Sequence, residues 1–203
     1  MLKKCVVLAC NLTDAIPNFD CDFIGVDKGA LTLANKGIMM ERAIGDFDSV
    51  DEKTLKFIDK HCYKLIKLDP VKDISDSEAA VNLAKELGYE EIIILGGLGN
   101  RMDHSYVNLK LMQKEEGRVS ILDKHNYIRI FKRGTYNINK LGFKYISFFP
   151  VKDCVISLEN MKYPLKNKLL IENDLLGLSN EIEDNVGKLV VSQGMVMCIQ
   201  SND

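Results

Sequence analysis

Short apolar runs alternate with segments of helical periodicity through the first half of the chain. This alternation is typical of a parallel sheet whose strands are connected by helices, so it constrains the fold more than any other feature. The predicted strands are Cys5–Cys10, Phe23–Val26, Arg42–Ile44, Tyr63–Leu68 and Glu91–Leu95. The predicted helices are Gly29–Asn35, Asp51–Lys60, Ser75–Leu87 and Asp103–Glu116.

The pattern changes from about Arg118, where short alternating segments follow one another with turns between them. The segments are Val119–Leu122, Tyr127–Phe131, Tyr145–Phe149, Val155–Leu158, Lys188–Ser192 and Met195–Ile199. Because no helical period persists there, we expect a small antiparallel β-sandwich. The predicted fold class is an α/β N-terminal domain with a mostly parallel sheet, plus a C-terminal antiparallel β-sandwich domain. We place the domains at residues 1–123 and 124–203.

The charge balance of the chain limits its expected partners. Hydrophobic residues make up 46% and charged residues 28%, with a formal net charge of −2 and a pI near 6.0. Neither nucleic acid nor an anionic membrane surface is therefore an expected partner. No apolar stretch is long enough to span a bilayer, and no secretory apolar region follows Met1. The expected location is the cytoplasm.

The six cysteines lack the spacing of a zinc site or a disulfide framework. Cys5, Cys10, Cys154 and Cys198 lie in or beside apolar runs, where a free thiol acts as a small buried hydrophobe. We therefore expect neither structural zinc nor a disulfide framework.

A first acidic loop, Gly45-Asp46-Phe47-Asp48-Ser49, follows a predicted strand and precedes a predicted helix. That position is the carboxyl edge of the sheet, where ligands bind in open α/β folds. Two aspartates one residue apart supply hard oxygen ligands of the kind that suit Mg²⁺. The alternative is a simple helix start, in which Ser49 or Asp48 is the N-cap and Glu52 lies nearby.

A second acidic loop, Asp73-Ile74-Ser75-Asp76-Ser77-Glu78, has the same position between a strand and a helix. Ser75 and Glu78 match a capping box, so part of this loop has a local explanation. The two loops nevertheless bring four carboxylates to one edge, where they would repel one another without a cation. We therefore predict that Asp46, Asp48, Asp73 and Asp76 hold a metal ion.

A glycine-rich turn, residues 96–104, follows the last predicted strand of the α/β region. Its glycines allow backbone amides to approach phosphates, and the N-terminus of the next helix attracts anions. Arg101 can form a fork onto a phosphate, whereas Asp103 either caps the helix or reaches the substrate. For His104, a capping or hydrogen-bonding role competes with substrate contact. Asn108 is expected to brace the glycine turn.

These motifs together resemble bacterial thiamine pyrophosphokinase. They are, in order, Asp27-Lys28-Gly29-Ala30, Gly45–Ser49, Asp73–Asp76 and Gly97–His104 with Asn108. The resemblance continues into Met161–Leu165 and Leu178–Glu181, and so it covers nearly the whole chain.

The resemblance implies that ATP donates its terminal pyrophosphate to the hydroxyethyl group of thiamine and leaves as AMP. It implies Mg²⁺ as the metal, bound with the polyphosphate at Asp46, Asp48, Asp73 and Asp76, while Asp103 contributes near thiamine and the metal. It also implies a homodimer whose active sites form between subunits. The further positions predicted to contact ATP are Asp27, Lys28, Gly29, Ser49, Lys72, Ser75, Gly97, Asn100, Arg101 and His104.

The resemblance places the thiamine pocket in the β-domain, at Ser179 and Asn180. Family members also use an aromatic contact to the cationic rings of thiamine. Since the chain has no Trp, that contact has to come from Tyr or Phe, and Tyr163 is the candidate.

The chain departs from the family pattern at several positions. Asn100 stands where the glycine-rich turn usually has Gly, Ser75 replaces the more usual Thr, and Lys28 stands where many relatives have Gly. Two other functions remain open: transfer from ATP to a different small alcohol, and a sensor that binds thiamine or a nucleotide without turnover. The proton acceptor is also open, with Asp48 and Asp103 as candidates.

Overall fold

Five parallel strands form the sheet of the N-terminal unit in the computed structural model of the chain, which describes residues 4–10, 16–17, 20–71, 73–99 and 101–203. This unit contains the residues up to Leu111 together with Ile121–Asp123, and the remaining residues form a second unit. The predicted ATP contacts Lys72 and Asn100 lie outside the described residues.

The strands of the first unit are β1 Cys5–Ala9, β2 Asp22–Val26, β3 Arg42–Gly45, β4 Leu65–Lys67 and β5 Glu91–Leu95. The helices are α1 Lys28–Asn35, α2 Glu52–Asp59, α3 Asp76–Glu86 and α4 Met102–Lys114, and β6 is Val119–Leu122. In the sheet the order is β5-β1-β2-β3-β4, and each of these pairs is parallel. Residues of α4 and β6 are divided between the two units.

Strand β1 lies inside this sheet, between β5 and β2, and its side chains are apolar on both faces. Val6, Val7, Leu8 and Ala9 are all fully buried, as expected for a parallel strand covered on both faces. Helix α1 buries Ala30, Leu33 and Ala34 along one face, which gives it the stripe of a helix packed on a sheet. The carboxyl ends of these strands therefore lie at one edge of a rigid core.

The second unit is antiparallel. Its strands are β7 Asn126–Phe131, β8 Gly134–Asn139, β9 Tyr145–Glu159, β10 Leu165–Leu170 and β11 Val186–Ser201. Strand β11 pairs with β9 along its length, with β8 through its first part and with β7 through its second part. Strand β10 pairs with β9. The predicted fold class is thus confirmed: a parallel α/β region is followed by an antiparallel β-rich region.

Four segments that were predicted as separate strands form only two strands, each of them long. Strand β9 contains both Tyr145–Phe149 and Val155–Leu158, and β11 contains both Lys188–Ser192 and Met195–Ile199. Their pairing shifts register between Val191 and Val196, and such bulges bend a ladder without ending it. Strands β8 and β10 were not predicted; β10 has a mostly exposed, lysine-bearing sequence, which is typical of an edge strand.

A disulfide joins Cys5 to Cys21, so the prediction of an unpaired buried thiol is wrong for Cys5. The register of β1 on β2 pairs Val6 with Asp22, which sets the two preceding cysteines beside each other with their Cα atoms 5.0 Å apart. This proximity depends on strand register, which cysteine spacing does not reveal. Cys10, Cys154 and Cys198 are buried and not disulfide-bonded, as predicted. Within the described part of the chain, no helix has the length and apolar character needed to cross a bilayer.

Titration of unreduced protein with a thiol reagent in denaturant should count the four free cysteines of the structure, rising to six after reduction. Closing a loop of this size stabilises a fold by roughly 3 kcal/mol, so Cys5→Ser should lower the free energy of unfolding by about that amount. Cys62→Ser, which removes a free thiol, is the control. A count of six before reduction would contradict the pairing.

Candidate active site

A cavity of about 560 Å³ opens where β1, β2 and β5 end and where α3 and α4 begin. It lies at the carboxyl edge of the sheet, as the sequence predicts for a ligand site. The predicted site residues that line it are Asp27, Ser75, Asp76, Gly97, Arg101, Asp103 and His104.

Asp27 has an unusual backbone for its residue type and follows directly after β2. Its φ angle is 50°, in a region that residues other than glycine rarely adopt and that clusters at functional sites. Its side chain does not cap α1, although Asp27 is the N-cap residue. The carboxylate instead lies against Gly45 at the end of β3, where a β-carbon would collide with it. Gly45 is thus required because an acidic side chain occupies the space beside it.

A second cavity of about 200 Å³ shares Asp27 with the first and is also lined by Lys28, Asp46, Phe47 and Ser49. Asp27 therefore lies between two cavities, each of which contains one of the predicted metal-binding aspartates, Asp76 or Asp46.

Phe47 fixes the first acidic loop by burying its ring in the core while its φ angle is 55°. The aspartates on either side are thereby turned outward, and Asp46 Oδ1 accepts a hydrogen bond of 3.1 Å from the Asp48 backbone N–H. The N-cap of α2 is Asp51, which accepts from the Thr54 N–H at 2.7 Å. The alternative that Asp48 or Ser49 caps this helix is therefore wrong, and neither acid of the loop serves as the cap of α2.

The second acidic loop does begin a helix, as its sequence indicates. Ser75 is the N-cap of α3, and its hydroxyl accepts from the Glu78 N–H at 3.2 Å. Asp76 follows in the first turn and faces the larger cavity. Asp48 and Asp73 are exposed and lie outside the described linings of both cavities. Across the residues that the structure describes, no group of three or more His, Cys, Asp or Glu side chains could hold a metal by itself.

Cys10 and Ser77 also line the larger cavity, and the sequence did not suggest them. Cys10 ends the β1 region, and its Sγ lies 3.9 Å from Ser77 Oγ. Burial raises the pKa of the Cys10 thiol to about 12; the Ser77 hydrogen bond lowers it by a smaller amount, and the negative charges of Asp27 and Asp76 raise it further. The thiol therefore stays protonated and is a poor nucleophile. It gives the cavity an uncharged lining near the carboxylates of Asp27 and Asp76.

The glycine-rich turn is held by two buried side chains of α4. Asn108 Nδ2 donates to the Gly97 carbonyl at 2.7 Å, which confirms the bracing role expected for Asn108. Ser105, which the sequence did not suggest, accepts from the Gly99 N–H at 3.0 Å through Oγ. Both residues are about 5% exposed (Ser105 5%, Asn108 6%). The turn is consequently preorganised before any ligand arrives.

Arg101 and Asp103 form an exposed ion pair at the mouth of the larger cavity. Arg101 Nε donates to Asp103 Oδ1 at 3.2 Å, and a second bond joins the other guanidinium nitrogen to Oδ2. The Arg101 hydrogen bond lowers the pKa of the Asp103 carboxyl, and the same contact raises the pKa of Arg101. Asp103 is therefore ionised and a weaker proton acceptor than an isolated aspartate while this pair persists.

The other predicted site residues differ in how far they are exposed. Gly29 packs so closely on the carbonyls of Ala9 and Cys10 that no side chain would fit, and Lys28 is exposed beside it. In the second unit Tyr163 and Ser179 are exposed, whereas Asn180 is 4% exposed.

Replacing Asn108 with Ala should destabilise the fold, because the buried Gly97 carbonyl loses its donor. Leaving such a group unsatisfied costs about 1–3 kcal/mol, measurable as a lower free energy of unfolding in urea. Asn35→Ala, the same change at an exposed position of α1, should shift stability by no more than about 0.5 kcal/mol. Equal effects of the two changes would show that the brace contributes nothing.

Comparison with known proteins finds one family across both units. Residues 20–122 match the family described as thiamin pyrophosphokinase, catalytic domain, and residues 135–196 match thiamin pyrophosphokinase, vitamin B1 binding domain. The thiamine pyrophosphokinase of Bacillus subtilis (strain 168) is 35% identical over 187 residues, which cover 89% of this chain and 87% of that protein.

Solved structures agree with this assignment. A crystal structure of thiamine pyrophosphokinase from Bacillus subtilis has a TM-score of 0.87 and 32% identity, and the match covers 99% of this chain and 100% of that one. A thiamin pyrophosphokinase family protein from Enterococcus faecalis has a TM-score of 0.86 and 26% identity, covering 99% of both chains. The chain belongs to the thiamin pyrophosphokinase family.

Proposed function

We propose that this protein transfers the terminal pyrophosphate of ATP to the hydroxyl of thiamine, giving thiamine diphosphate and AMP. The observation that carries the proposal is the position of Asp27, whose carboxylate lies between a cavity containing Asp76 and a cavity containing Asp46. An anionic polyphosphate cannot occupy such an acidic edge without a cation, so carboxylates and polyphosphate together favour metal-assisted phosphoryl chemistry.

Mg²⁺ fits the donor set, although no larger cluster forms among the described side chains. This ion usually binds one or two protein carboxylates and takes its other ligands from phosphate oxygens and water. We propose Asp46, Asp48, Asp73 and Asp76 as the acids that hold Mg²⁺ and the polyphosphate. The cavity positions of Asp46 and Asp76 support their part in this set. Bound there, the ion would offset charge on the phosphate oxygens as AMP departs.

The phosphates themselves would meet the glycine-rich turn at the start of α4. Gly97 and Gly99 line the larger cavity together with Arg101, so backbone N–H groups, a helix N-terminus and a guanidinium lie at one anion-binding edge. Lys28, on the smaller cavity, supplies a further cation for the ATP phosphates. A turn already fixed by Asn108 and Ser105 orients the phosphoryl group without further ordering.

Asp103 would act on the thiamine side of the cavity. Its carboxylate has a lowered pKa because Arg101 donates to it. When Arg101 turns to a phosphate, that donor is lost and the pKa of Asp103 returns toward the ordinary value. Asp103 would then accept a hydrogen bond from the thiamine hydroxyl more strongly, which couples ATP binding to activation of the alcohol.

Product analysis tests the function. Protein incubated with Mg²⁺, ATP and thiamine should form AMP and thiamine diphosphate in equal amounts. Formation of ADP would indicate a monophosphate kinase, and turnover only with another alcohol would assign a different acceptor. Binding of thiamine or ATP without any nucleotide product would favour a sensor.

Asp76→Asn should reduce AMP formation by at least a hundredfold, because the change removes a charge proposed to bind the metal and leaves the side-chain shape unchanged. Initial rates measured over a range of Mg²⁺ concentrations should also show a weaker metal requirement. Asp59→Asn, at an exposed position of α2 outside both cavity linings, is the matched control. Equal rates for the two variants would exclude Asp76 from the metal site.

We also propose that the protein is a homodimer, with the thiamine pocket supplied by Tyr163, Ser179 and Asn180 of the second unit. Three exposed leucines just before Ser179 support the dimer: Leu175 is 75% exposed, Leu176 59% and Leu178 64%. Apolar side chains concentrated in one exposed segment are typical of a surface that meets another protein. We propose that such a dimer functions in the cytoplasm, the location expected from the sequence.

Leu175→Glu with Leu176→Glu should convert the dimer to a monomer, because two charges would be buried at the interface. Sedimentation equilibrium measures the mass directly, against the chain mass of 22.9 kDa. Met39→Glu, at an exposed apolar residue of the first unit, should leave the mass unchanged. A doubly substituted protein that still sediments as a dimer would place the interface elsewhere.

A further inference from the structure

The side-chain amide of Asn180 is fully used inside the protein. Its Oδ1 accepts from the backbone N–H groups of Tyr163 and Glu181, each at 2.9 Å. Its Nδ2 donates to the Tyr163 carbonyl at 2.8 Å and lies 4.0 Å from the Met161 sulfur. An amide offers two donor hydrogens and two acceptor positions, and all of them are engaged here. The amide therefore has nothing left to offer a ligand.

Asn180 is itself fixed to a buried strand. Its backbone N–H and carbonyl pair with Ile146 of β9 at 2.9 and 2.8 Å, and the preceding Ser179 N–H donates to Ser147 Oγ at 3.0 Å. Ile146 and Ser147 are 1% and 5% exposed. The position of Asn180 is thus determined by the core. Its side chain in turn fixes the position of the groups to which it is hydrogen-bonded.

The backbone of Tyr163 is fixed by Asn180, whereas the Tyr163 ring is not part of the core. The Asn180 amide bonds both the N–H and the carbonyl of Tyr163, as a neighbouring strand would. The Tyr163 residue is 58% exposed, and the neighbouring Lys162 is held by an ion pair of 2.8 Å to Glu181. A ring on a fixed backbone and free of the core is suited to stack on a cation, and the thiazolium of thiamine is such a cation.

We infer that Asn180 is a positioning residue, which sets the Tyr163 ring for thiamine and does not touch thiamine itself. The inference rests on the proposed function. It divides the three pocket residues by role: Tyr163 stacks on the thiazolium, Asn180 holds the Tyr163 backbone, and Ser179 is left as the polar contact. Ser179 suits that role because it is exposed and held at a φ angle of 57° by the bonds around it.

A double-substitution cycle distinguishes positioning from direct contact. Tyr163→Ala and Asn180→Ala should each weaken thiamine binding by about 5- to 30-fold, the range of a cation–aromatic contact. Together they should weaken it no more than the stronger single change, because Asn180 acts through Tyr163. The readouts are the thiamine Kd by calorimetry, and KM and kcat from AMP formation. The KM for ATP should stay at the wild-type value in each variant.

Asn160→Ala is the matched control, since it removes an amide bonded to the Val186 carbonyl and should leave the thiamine Kd unchanged. Asn180→Asp keeps the acceptor for Tyr163 N–H but places a charged oxygen opposite the Tyr163 carbonyl, so it should weaken thiamine binding as Asn180→Ala does, and it is the second variant if Asn180→Ala unfolds. Thermal unfolding reports that case separately.

Multiplicative losses in the double variant would overturn the inference, because they would mean that Asn180 contacts thiamine independently. A shifted KM for ATP would also overturn it. If the wild-type protein binds thiamine but releases no AMP, the proposed reaction fails while the binding cycle still decides the role of Asn180. If the wild type does not bind thiamine at all, both proposals are overturned.

Discussion

The contact between the Asp27 carboxylate and Gly45 is the constraint on which the first unit's site depends. This contact brings the ends of β2 and β3 together, because the Asp27 carboxylate fills the space that a side chain at position 45 would occupy. In this arrangement the backbone of Asp27 has an unfavourable positive φ angle. Local strain of this kind persists only where the surrounding core enforces it, and here the fully buried residues Val6 to Ala9 of β1 are part of that core. The result is one carboxylate that faces two acidic cavities.

Periodicity was sufficient to predict the parallel strands and their helices, because a covered parallel sheet requires apolar runs with helical segments between them. It also located the acidic loops and the glycine-rich turn at the carboxyl edge. Features that depend on register were not predictable. Cys5 meets Cys21 only because β1 pairs with β2 as it does, and β9 continues through a bulge that the sequence presents as an ordinary turn.

The site shows the same division between local and long-range information. Ser75 as a helix cap and Asn108 as a brace follow from spacing along the chain, and the structure bears out both. Cys10 and Ser105 had no local signal, since an apolar run and a helix interior explain them equally well. In the second unit, a motif can indicate that Asn180 matters, but only its burial and its bonds to Tyr163 indicate how.

We propose that a metal-bound polyphosphate occupies the acidic edge around Asp27. Anomalous diffraction from crystals soaked with Mn²⁺ and a non-hydrolysable ATP analogue tests it most directly, because Mn²⁺ shares the oxygen ligands of Mg²⁺ and its position is measured rather than inferred. We expect an anomalous peak ligated by a phosphate oxygen and by at least one carboxylate from Asp46 or Asp76, beside Asp27. A peak on phosphate alone, or one remote from these carboxylates, would contradict it.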